Sequence, residues 1–497
     1  MVLLLLLNLF FPTYISAFIL IFAIFTILID AALIMDNRTP HDTWAWLLLF
    51  LLVPIIGWGL FLLVGRHQRN FFSRKNKLLA QRLGERLTQS LKSLQEKEEA
   101  RIREVKEKYS GGKRHLLRLA KNGDYSLMTL NNEFELLQNA DKKYGRLLED
   151  IEAAEKSIHL QYFEWHEDTF TQKLKALLIQ KAQQGVDIRI LIDAFGNGLS
   201  KKYRQEMRDN GIDLHIYLRY HMPYSVHTIN YRNHRKIIVI DGEIGYMGGI
   251  NMGQLYLDGG DDFTHWRDTH IRLRGESVAA LQGVFVTSWY NTTEEELSDE
   301  SCFPPVHNAD QRWPQLPVQI TTSGPDSDWQ VIKQIYFAMI LDADEHVYIQ
   351  SPFFIPDQAI TESLTTAALS GIDVKLMIAA EGPDHRTPYW AANTYFADLA
   401  KAGIEIYLYK GGYLHAKTVN IDNKICSIGS ANFDIRSFDI DYEITALIYD
   451  EKIAEQLAAD FHQDMQSCEK FDLEQYNNRS RVIHLRDSAA RLAAPLL

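Results

Sequence analysis

One spacing of histidine, lysine, aspartate and asparagine occurs twice in this chain of 497 residues. In each copy a lysine follows the histidine by two positions, an aspartate by seven and an asparagine by seventeen. A single histidine of this kind is more often a satisfied core residue, but two copies in register point to a functional site. The two sets are His234, Lys236, Asp241 and Asn251, and His415, Lys417, Asp422 and Asn432.

Two imidazoles, two ammonium groups and two amides around one point are suited to substitution at a phosphodiester. The ammonium and amide groups would stabilise the anionic oxygens and the charge that builds up in a five-coordinate transition state. One imidazole would attack phosphorus, while the other would protonate the leaving alkoxide and then deprotonate an incoming alcohol. This chemistry needs no metal and no cofactor, so neither is predicted, and the residues alone treat the two histidines as equals.

Asp241 and Asp422 complete the two patterns and therefore belong to the candidate catalytic set. Asp241 is followed by glycine and Asp422 by asparagine, and Asp-Gly is a strong hairpin signal. Alternation along a strand also places the seventh residue on the face opposite the histidine. We therefore expect the two aspartates to hold turns, and we expect Asn251 and Asn432 to bind the substrate phosphate.

The segments that must position these residues alternate between strand-like and helix-like patterns, and the alternation occurs twice before each motif. Such alternation predicts a mixed α/β sheet with helices on both faces, and the duplication predicts two such domains facing each other around one site. The segments are residues 158–165, 170–184, 187–194, 201–210 and 213–218 in the first pass, and 347–354, 360–370, 373–380, 390–402 and 405–409 in the second.

The chain begins with two apolar runs, at about residues 9–34 and 44–64, joined by a short polar link. Each is long enough to cross a bilayer, so they predict a two-helix transmembrane hairpin. A cleaved signal peptide is the alternative for the first run, but it lacks a basic start and a second span follows directly. The arginines and lysines just after Val64 predict a cytoplasmic location for everything that follows, although these cations could also meet anionic headgroups.

The predicted domain boundaries follow from these patterns. They are a hairpin over 1–66, an amphipathic juxtamembrane helix and linker over 67–125, a first domain over 126–300, a linker over 301–316 and a second domain over 317–497. The formal net charge of −12 disfavours a nucleic-acid partner, because phosphate-backbone affinity comes from lysine and arginine. Three cysteines without a C-x-x-C pair indicate neither a disulfide framework nor a zinc site. Nothing in the sequence predicts an oligomeric state.

The paired motif resembles the hallmark of the phospholipase D superfamily, and almost the whole chain resembles the bacterial cardiolipin synthases within it. The resemblance implies an α/β fold, a phosphohistidine intermediate, and a bacterial inner-membrane enzyme that condenses two phosphatidylglycerol molecules into cardiolipin and glycerol. Hydrolytic phospholipase D or another phosphodiesterase is the alternative, and intact motifs disfavour a non-catalytic scaffold. The resemblance rests on the residues 248–253, 266–270 and 429–437 as well as on the apolar hairpin.

Two acidic residues stand where the family has a carboxylate that orients a catalytic imidazole, namely Asp268 and Glu443. Such a carboxylate fixes the tautomer and stabilises imidazolium, while a structural salt bridge is the alternative role for each. The chain departs from the family at Asp441, where asparagine is frequent. This extra carboxylate is expected to alter the local charge beside Glu443, and family analogy favours His234 as the nucleophile.

Overall fold

A computed structural model describes the chain over residues 12–61 apart from 37 and 39, residue 65, and residues 96–107, 114–124, 126–217, 230–297, 302–304, 312–382 and 386–494. The chain divides into two compact units. One contains residues 1–67 and 220–230, and the other contains residues 68–219 and 231–497.

The N-terminal unit contains three helices: α1 (Pro12–Met35), α2 (Pro40–Leu52) and α3 (Pro54–Leu60). The sequence predicts one helix over 44–64, but the structure divides it at Pro54. Proline has no N–H to donate and its ring clashes with the preceding turn, so the helix restarts with Pro54 in its first turn. Among the described residues, no helix combines the length and the apolar character that crossing a bilayer requires. Residues 9–11 and 62–64 lie outside the described residues, and the two spans stay a prediction.

The larger unit is built from strands and helices in alternation. Its helices are α4 (96–107), α5 (Arg114–Asp124), α6 (Asn139–Ala153), α7 (Thr169–Gln183), α8 (Lys201–Asp209), α9 (Leu255–Asp258), α10 (Glu276–Thr293), α11 (Val331–Leu341), α12 (Gln358–Leu369), α13 (Thr387–Lys401), α14 (Ile435–Asp439), α15 (Glu451–Met465), α16 (Leu473–Asn477) and α17 (Arg481–Leu492).

The strands of the first half run from β1 to β10. They are β1 (Met128–Gln138), β2 (Ser157–Tyr162), β3 (Trp165–His166), β4 (Asp187–Asp193), β5 (Asn197–Gly198), β6 (Asp213–Tyr217), β7 (Ile237–Ile240), β8 (Ile244–Gly248), β9 (Trp266–Arg267) and β10 (Thr269–Gly275).

The strands of the second half run from β11 to β21. They are β11 (Gln315–Ser323), β12 (His346–Ser351), β13 (Phe354–Ile355), β14 (Asp373–Ala379), β15 (Glu405–Tyr409), β16 (Tyr413–Leu414), β17 (Thr418–Ile421), β18 (Ile425–Gly429), β19 (Phe433–Asp434), β20 (Glu443–Ile448) and β21 (Cys468–Lys470).

Fifteen of these strands form one sheet, in the order β21-β15-β14-β12-β17-β18-β20-β11-β1-β10-β8-β7-β2-β4-β6. The sheet is mixed, because β2, β4 and β6 are parallel while β7 and β8 are antiparallel to their neighbours. The second half repeats this arrangement with β12, β14, β15, β17 and β18. β1 and β11 pair antiparallel at the centre, so the two halves share a continuous sheet.

Helices cover the sheet because their apolar residues recur with the helical period. In α10, Leu281, Phe285 and Trp289 recur every four residues and are fully buried against the sheet. Burying each such side chain contributes roughly 1.5–3 kcal/mol of transfer free energy. One buried cluster combines residues of both halves, including Tyr162 of the first half and Leu414 of the second. The core therefore fixes the two halves against each other.

The predicted mixed α/β fold with a duplicated unit is confirmed. The predicted segments agree with the observed ones to within three residues at each end. The predicted strands 158–165 and 347–354 extend beyond β2 and β12 to the first residues of β3 and β13. Residues 67–95 and 108–113 of the predicted juxtamembrane segment and half of the predicted linker lie outside the described residues. The domain boundaries therefore stay predictions.

Candidate active site

Both motif histidines are held by backbone hydrogen bonds from the opposite half of the chain. The His234 N–H donates to the Tyr442 carbonyl at 2.9 Å, and the His415 N–H donates to the Arg267 carbonyl at 2.7 Å. The motif spacing predicts each histidine within a strand. In the structure, however, β7 starts three residues after His234 and β17 starts three residues after His415. These extended segments instead bridge to the other half, which brings the two motifs together.

Each histidine is paired with a carboxylate from the other half. The distance from His234 Nδ1 to Glu443 Oε1 is 2.9 Å, and that from His415 Nδ1 to Asp268 Oδ2 is 2.7 Å. Both carboxylates are fully buried. A carboxylate that accepts from Nδ1–H leaves Nε2 as the nitrogen with a lone pair, so the pairing selects the same tautomer in both rings.

Burial and the neighbouring charges together determine the pKa values of the histidines and of Glu443. Burial lowers the pKa of His234 despite the nearby Glu443, and burial together with the Lys417 charge lowers that of His415 to about 4. Burial raises the pKa of Glu443, but His234 and Lys236 more than offset this, and the pKa of Glu443 is lowered. Both rings are therefore neutral at neutral pH before a phosphate binds.

The motif lysines are fixed in the same way in the two copies. Lys236 Nζ donates to the His234 carbonyl at 2.7 Å, and Lys417 Nζ donates to the His415 carbonyl at 2.6 Å. Both lysines are almost completely buried. Burial lowers the pKa of Lys236 to about 8 and that of Lys417 to about 7, so both stand close to losing their charge near neutral pH. An anionic ligand would restore that charge.

The motif aspartates lie in the hairpin turns, away from the histidine–carboxylate pairs. Asp241 and Asp422 both have a φ of 54°. The Asp241 carboxylate accepts the backbone N–H groups of residues 155–157, and the Asp422 carboxylate accepts those of residues 344–346, at 2.7–3.2 Å. Each aspartate therefore ties its turn to the start of a neighbouring strand. These contacts agree with the expected role in the turns, and a direct part of either aspartate in catalysis stays a prediction.

The two asparagines are not equivalent. Asn251 Nδ2 donates to Glu164 Oε2 at 3.2 Å and to the Tyr256 hydroxyl at 3.1 Å, so both of its amide hydrogens are engaged. Asn432 Oδ1, in contrast, is buried without a hydrogen-bond partner in the described part of the chain. The structure places both asparagines on the wall of the pocket, and Asn251 Oδ1 accepts from the Glu164 N–H at 3.3 Å, so the two amide oxygens differ in their contacts.

Both histidines line one cavity of about 510 Å³ between the two halves. Both asparagines and Glu164 also line it. Aromatic rings form much of the remaining wall, and Trp266 lies 5.5 Å from the His415 ring between centroids. The cavity is lined further by Phe163, His166, Leu255, Tyr256, Gly259, Gly260, Asp261, Asp262, Phe263, Phe353, Gly382, Pro388, Tyr389 and Tyr413.

Two small residues next to the motifs support the orienting carboxylates. The Ser430 hydroxyl donates to Glu443, and its own N–H donates to the Ile444 carbonyl at 2.9 Å. At the equivalent position in the first half, a side chain on Gly249 would collide with the Asp268 carboxylate. Neither role was predicted from the sequence. The only sign of them there is that glycine in Gly-Gly-Ile-Asn is replaced by serine in Gly-Ser-Ala-Asn.

Asp441, the departure from the family pattern, does not enter the pocket contacts. Its carboxylate pairs with Arg436 at 3.0 Å, and burial raises its pKa to about 8. Glu443 keeps its contact with His234 beside it. Within the described residues, no group of three or more histidine, cysteine, aspartate or glutamate side chains is arranged to hold a metal ion.

Two family models match the chain. The model described as "Cardiolipin synthase, PLD-like domain" matches residues 147–267 and 336–465, one match in each half. The model described as "Phospholipase_D-nuclease N-terminal" matches residues 18–66, which is the apolar hairpin.

Curated relatives match over nearly the full length. A cardiolipin synthase of Clostridium perfringens is 36% identical over 467 residues, which is 93% of this chain and 95% of the relative. The major cardiolipin synthase of Bacillus subtilis is 38% identical over 469 residues, again 93% and 95% of the two chains. Among solved structures, the phosphatidylserine synthase of Haemophilus influenzae matches with a TM-score of 0.58 and 16% identity, over 77% of this chain and 100% of that one, which supports the fold.

Proposed function

The chain belongs to the cardiolipin synthase family of phospholipase D-like proteins, and we propose that it condenses two phosphatidylglycerol molecules into cardiolipin and glycerol. The observation that carries this proposal is the pair of imidazoles on one cavity, each oriented by a carboxylate of the other half.

The first chemical step forms a phosphohistidine. His234 Nε2 attacks the phosphorus of one phosphatidylglycerol, the P–O bond to the headgroup glycerol breaks, and His415 gives its proton to the departing oxygen. His415 acquires that proton when the phosphate anion binds, because the added negative charge raises the imidazole pKa. Lys236 and Lys417 hold the anionic oxygens throughout.

The second step transfers the phosphatidyl group. A headgroup hydroxyl of a second phosphatidylglycerol gives its proton to His415 while its oxygen attacks phosphorus, and the P–N bond to His234 breaks. The products are cardiolipin, a neutral His234 and a protonated His415, which returns its proton to solvent when the anionic product leaves. Glu443 and Asp268 stabilise whichever imidazolium forms on their partner ring, and they keep both rings in the attacking tautomer.

Product analysis tests the proposal. Purified full-length enzyme in phosphatidylglycerol vesicles is expected to give cardiolipin and free glycerol in equal amounts. A product mixture of phosphatidic acid and glycerol without cardiolipin would instead identify a hydrolytic phospholipase D. A His415→Ala variant serves as the background control.

The N-terminal hairpin supports a membrane location for this activity. Its helices are apolar, the Trp58 ring stacks on Phe22 at 5.1 Å, and basic residues follow Val64. We propose a multi-pass protein of the bacterial cell membrane whose catalytic domains are cytoplasmic. A C-terminal tag is expected to be digested by protease in inverted membrane vesicles and protected in intact spheroplasts, and the reverse pattern would reject this orientation.

A further inference from the structure

One pair of equivalent positions on the cavity wall differs in charge between the two halves. The β3 residue Trp165 bridges to Met252, and the β13 residue Phe354 pairs with Phe433 in the same register. The residues just before them, Glu164 and Phe353, are therefore equivalent, and both line the cavity. At this pair of positions, one wall of the site carries a carboxylate where the other wall carries a phenyl ring.

Glu164 is built into this wall by several contacts. Its Oε2 accepts from the Tyr256 hydroxyl and from Asn251 Nδ2 at 3.2 Å, and it lies 3.7 Å from His166 Nε2. The Glu164 N–H also donates to Asn251 Oδ1 at 3.3 Å. The Glu164 side chain is nevertheless 34% exposed, so its carboxylate is accessible from the cavity that it lines.

This carboxylate stays charged in the free enzyme. Burial alone would raise its pKa, but hydrogen bonds from His166 and Tyr256 and the charge of Lys236 lower it to about 2. A fixed negative charge repels the phosphate that the two lysines attract. The ligand of Glu164 is therefore a part of the substrate that is not anionic and has hydrogen-bond donors. A headgroup with adjacent hydroxyl groups has such donors.

We propose that Glu164, with the Tyr256 and His166 side chains around it, binds the free hydroxyl groups of the glycerol headgroup beside the reacting phosphate. This inference rests on the proposed function and assigns a specificity site to it. Phe353 on the opposite wall offers no polar atom, so the subsite has one polar side. Glu164 would thus select a polyol over a simple alcohol or water as the phosphatidyl acceptor.

The test is a competition between acceptors of similar size in one reaction. Full-length enzyme in acyl-labelled phosphatidylglycerol vesicles is supplied with isotope-labelled glycerol, 1-propanol and ethanolamine at equal concentration, and the three labelled phospholipid products are counted. The ratio of products does not depend on how much of a variant is folded. Removing a charge-assisted hydrogen bond is expected to lower the preference for glycerol over 1-propanol about tenfold or more in Glu164→Ala.

Glu164→Gln, which keeps the shape and one acceptor oxygen, is expected to fall between the wild type and the alanine variant. Glu167→Gln is the matched control, because it makes the same change three residues further on at an exposed position outside the cavity. An unchanged glycerol preference in Glu164→Ala would overturn the proposal, and so would a loss confined to ethanolamine, which would identify an ammonium site. Failure of the wild type to make cardiolipin would reject the synthase function instead, since acceptor competition is measurable for a hydrolase too.

Discussion

At the residue scale, burial controls the charges of the site. The lysine of each motif donates to the carbonyl of its own histidine and is removed from water, so its ammonium group is only marginally stable. A phosphate anion supplies the missing counter-charge, so substrate binding and lysine protonation favour each other. The same burial lowers the pKa of both imidazoles, which leaves them unprotonated and nucleophilic in the free enzyme.

These shifts predict the pH dependence of kcat/KM. The lysine charges are present below their lowered pKa values of about 7 and 8 and are lost as pH rises through that range. The profile is therefore expected to be bell-shaped, with an acid limb below the ordinary imidazole pKa and a decline between about pH 7 and 8. Initial rates on mixed micelles over pH 4–10 would measure it. A profile that still rises above pH 9 would contradict the role of the buried lysines.

At the element scale, each motif is a hairpin whose turn is tied down by its own aspartate. The strand pairs β7–β8 and β17–β18 follow the histidines directly, so an error in either turn would displace a histidine. Asp422 is buried in its turn and has a positive φ, a conformation that aspartate and asparagine tolerate better than alanine. The motif aspartate thus acts on the chemistry by fixing the element that presents the imidazole.

Asp422→Ala is expected to lower the free energy of unfolding by about 2–4 kcal/mol, because several backbone N–H groups lose a charged acceptor. Thermal unfolding in detergent would report this as a lower Tm. Asp422→Asn is the control, since it keeps one acceptor oxygen and tolerates the same φ, and it should lose less. The activity per folded molecule should fall together with the Tm, and less in the asparagine variant, because a loosened turn displaces the histidine. A normal Tm with abolished activity would place this carboxylate in the reaction itself.

At the scale of the whole molecule, the two halves complete each other's catalytic groups. Glu443 of the second half holds the first histidine, and Asp268 of the first half holds the second. Within the described residues, each motif histidine takes its carboxylate partner from the opposite half. The continuous sheet through β1 and β11 and the shared core keep these two crossed contacts in place together.

The crossed pairs predict which reaction step each carboxylate affects. With His234 as the nucleophile, Glu443→Gln should slow formation of the phosphohistidine, although the whole first half of the chain is unchanged. Asp268→Asn should slow the proton transfers of His415 instead, by roughly 10²–10⁴-fold in kcat given the loss of tautomer control. Rapid acid quench with labelled phosphatidylglycerol would separate the two effects.

The same quench identifies the nucleophile. A labelled phosphohistidine is expected to accumulate in His415→Ala and to be absent in His234→Ala. Label trapped on His415 in the His234→Ala variant would reverse the order of the two histidines.

The sequence by itself determined the features that depend on local spacing. The doubled His-Lys-Asp-Asn pattern, the alternation of strands and helices, and the apolar hairpin all repeat over a few residues, where period and turn chemistry are specific. This was enough to identify the α/β fold, the duplicated unit and both histidine–lysine pairs. The turn signals at Asp241 and Asp422 also predicted that both motif aspartates lie in turns.

Only the tertiary structure decided how distant residues share the site. The pairs His234–Glu443 and His415–Asp268 join residues 209 and 147 positions apart, and no local pattern fixes a partner at such a separation. The structure alone also made the two asparagines inequivalent, because Glu164 occupies one of them. Contacts of this kind depend on the packing of whole elements, so the sequence supplied the catalytic groups and the fold determined which group each one serves.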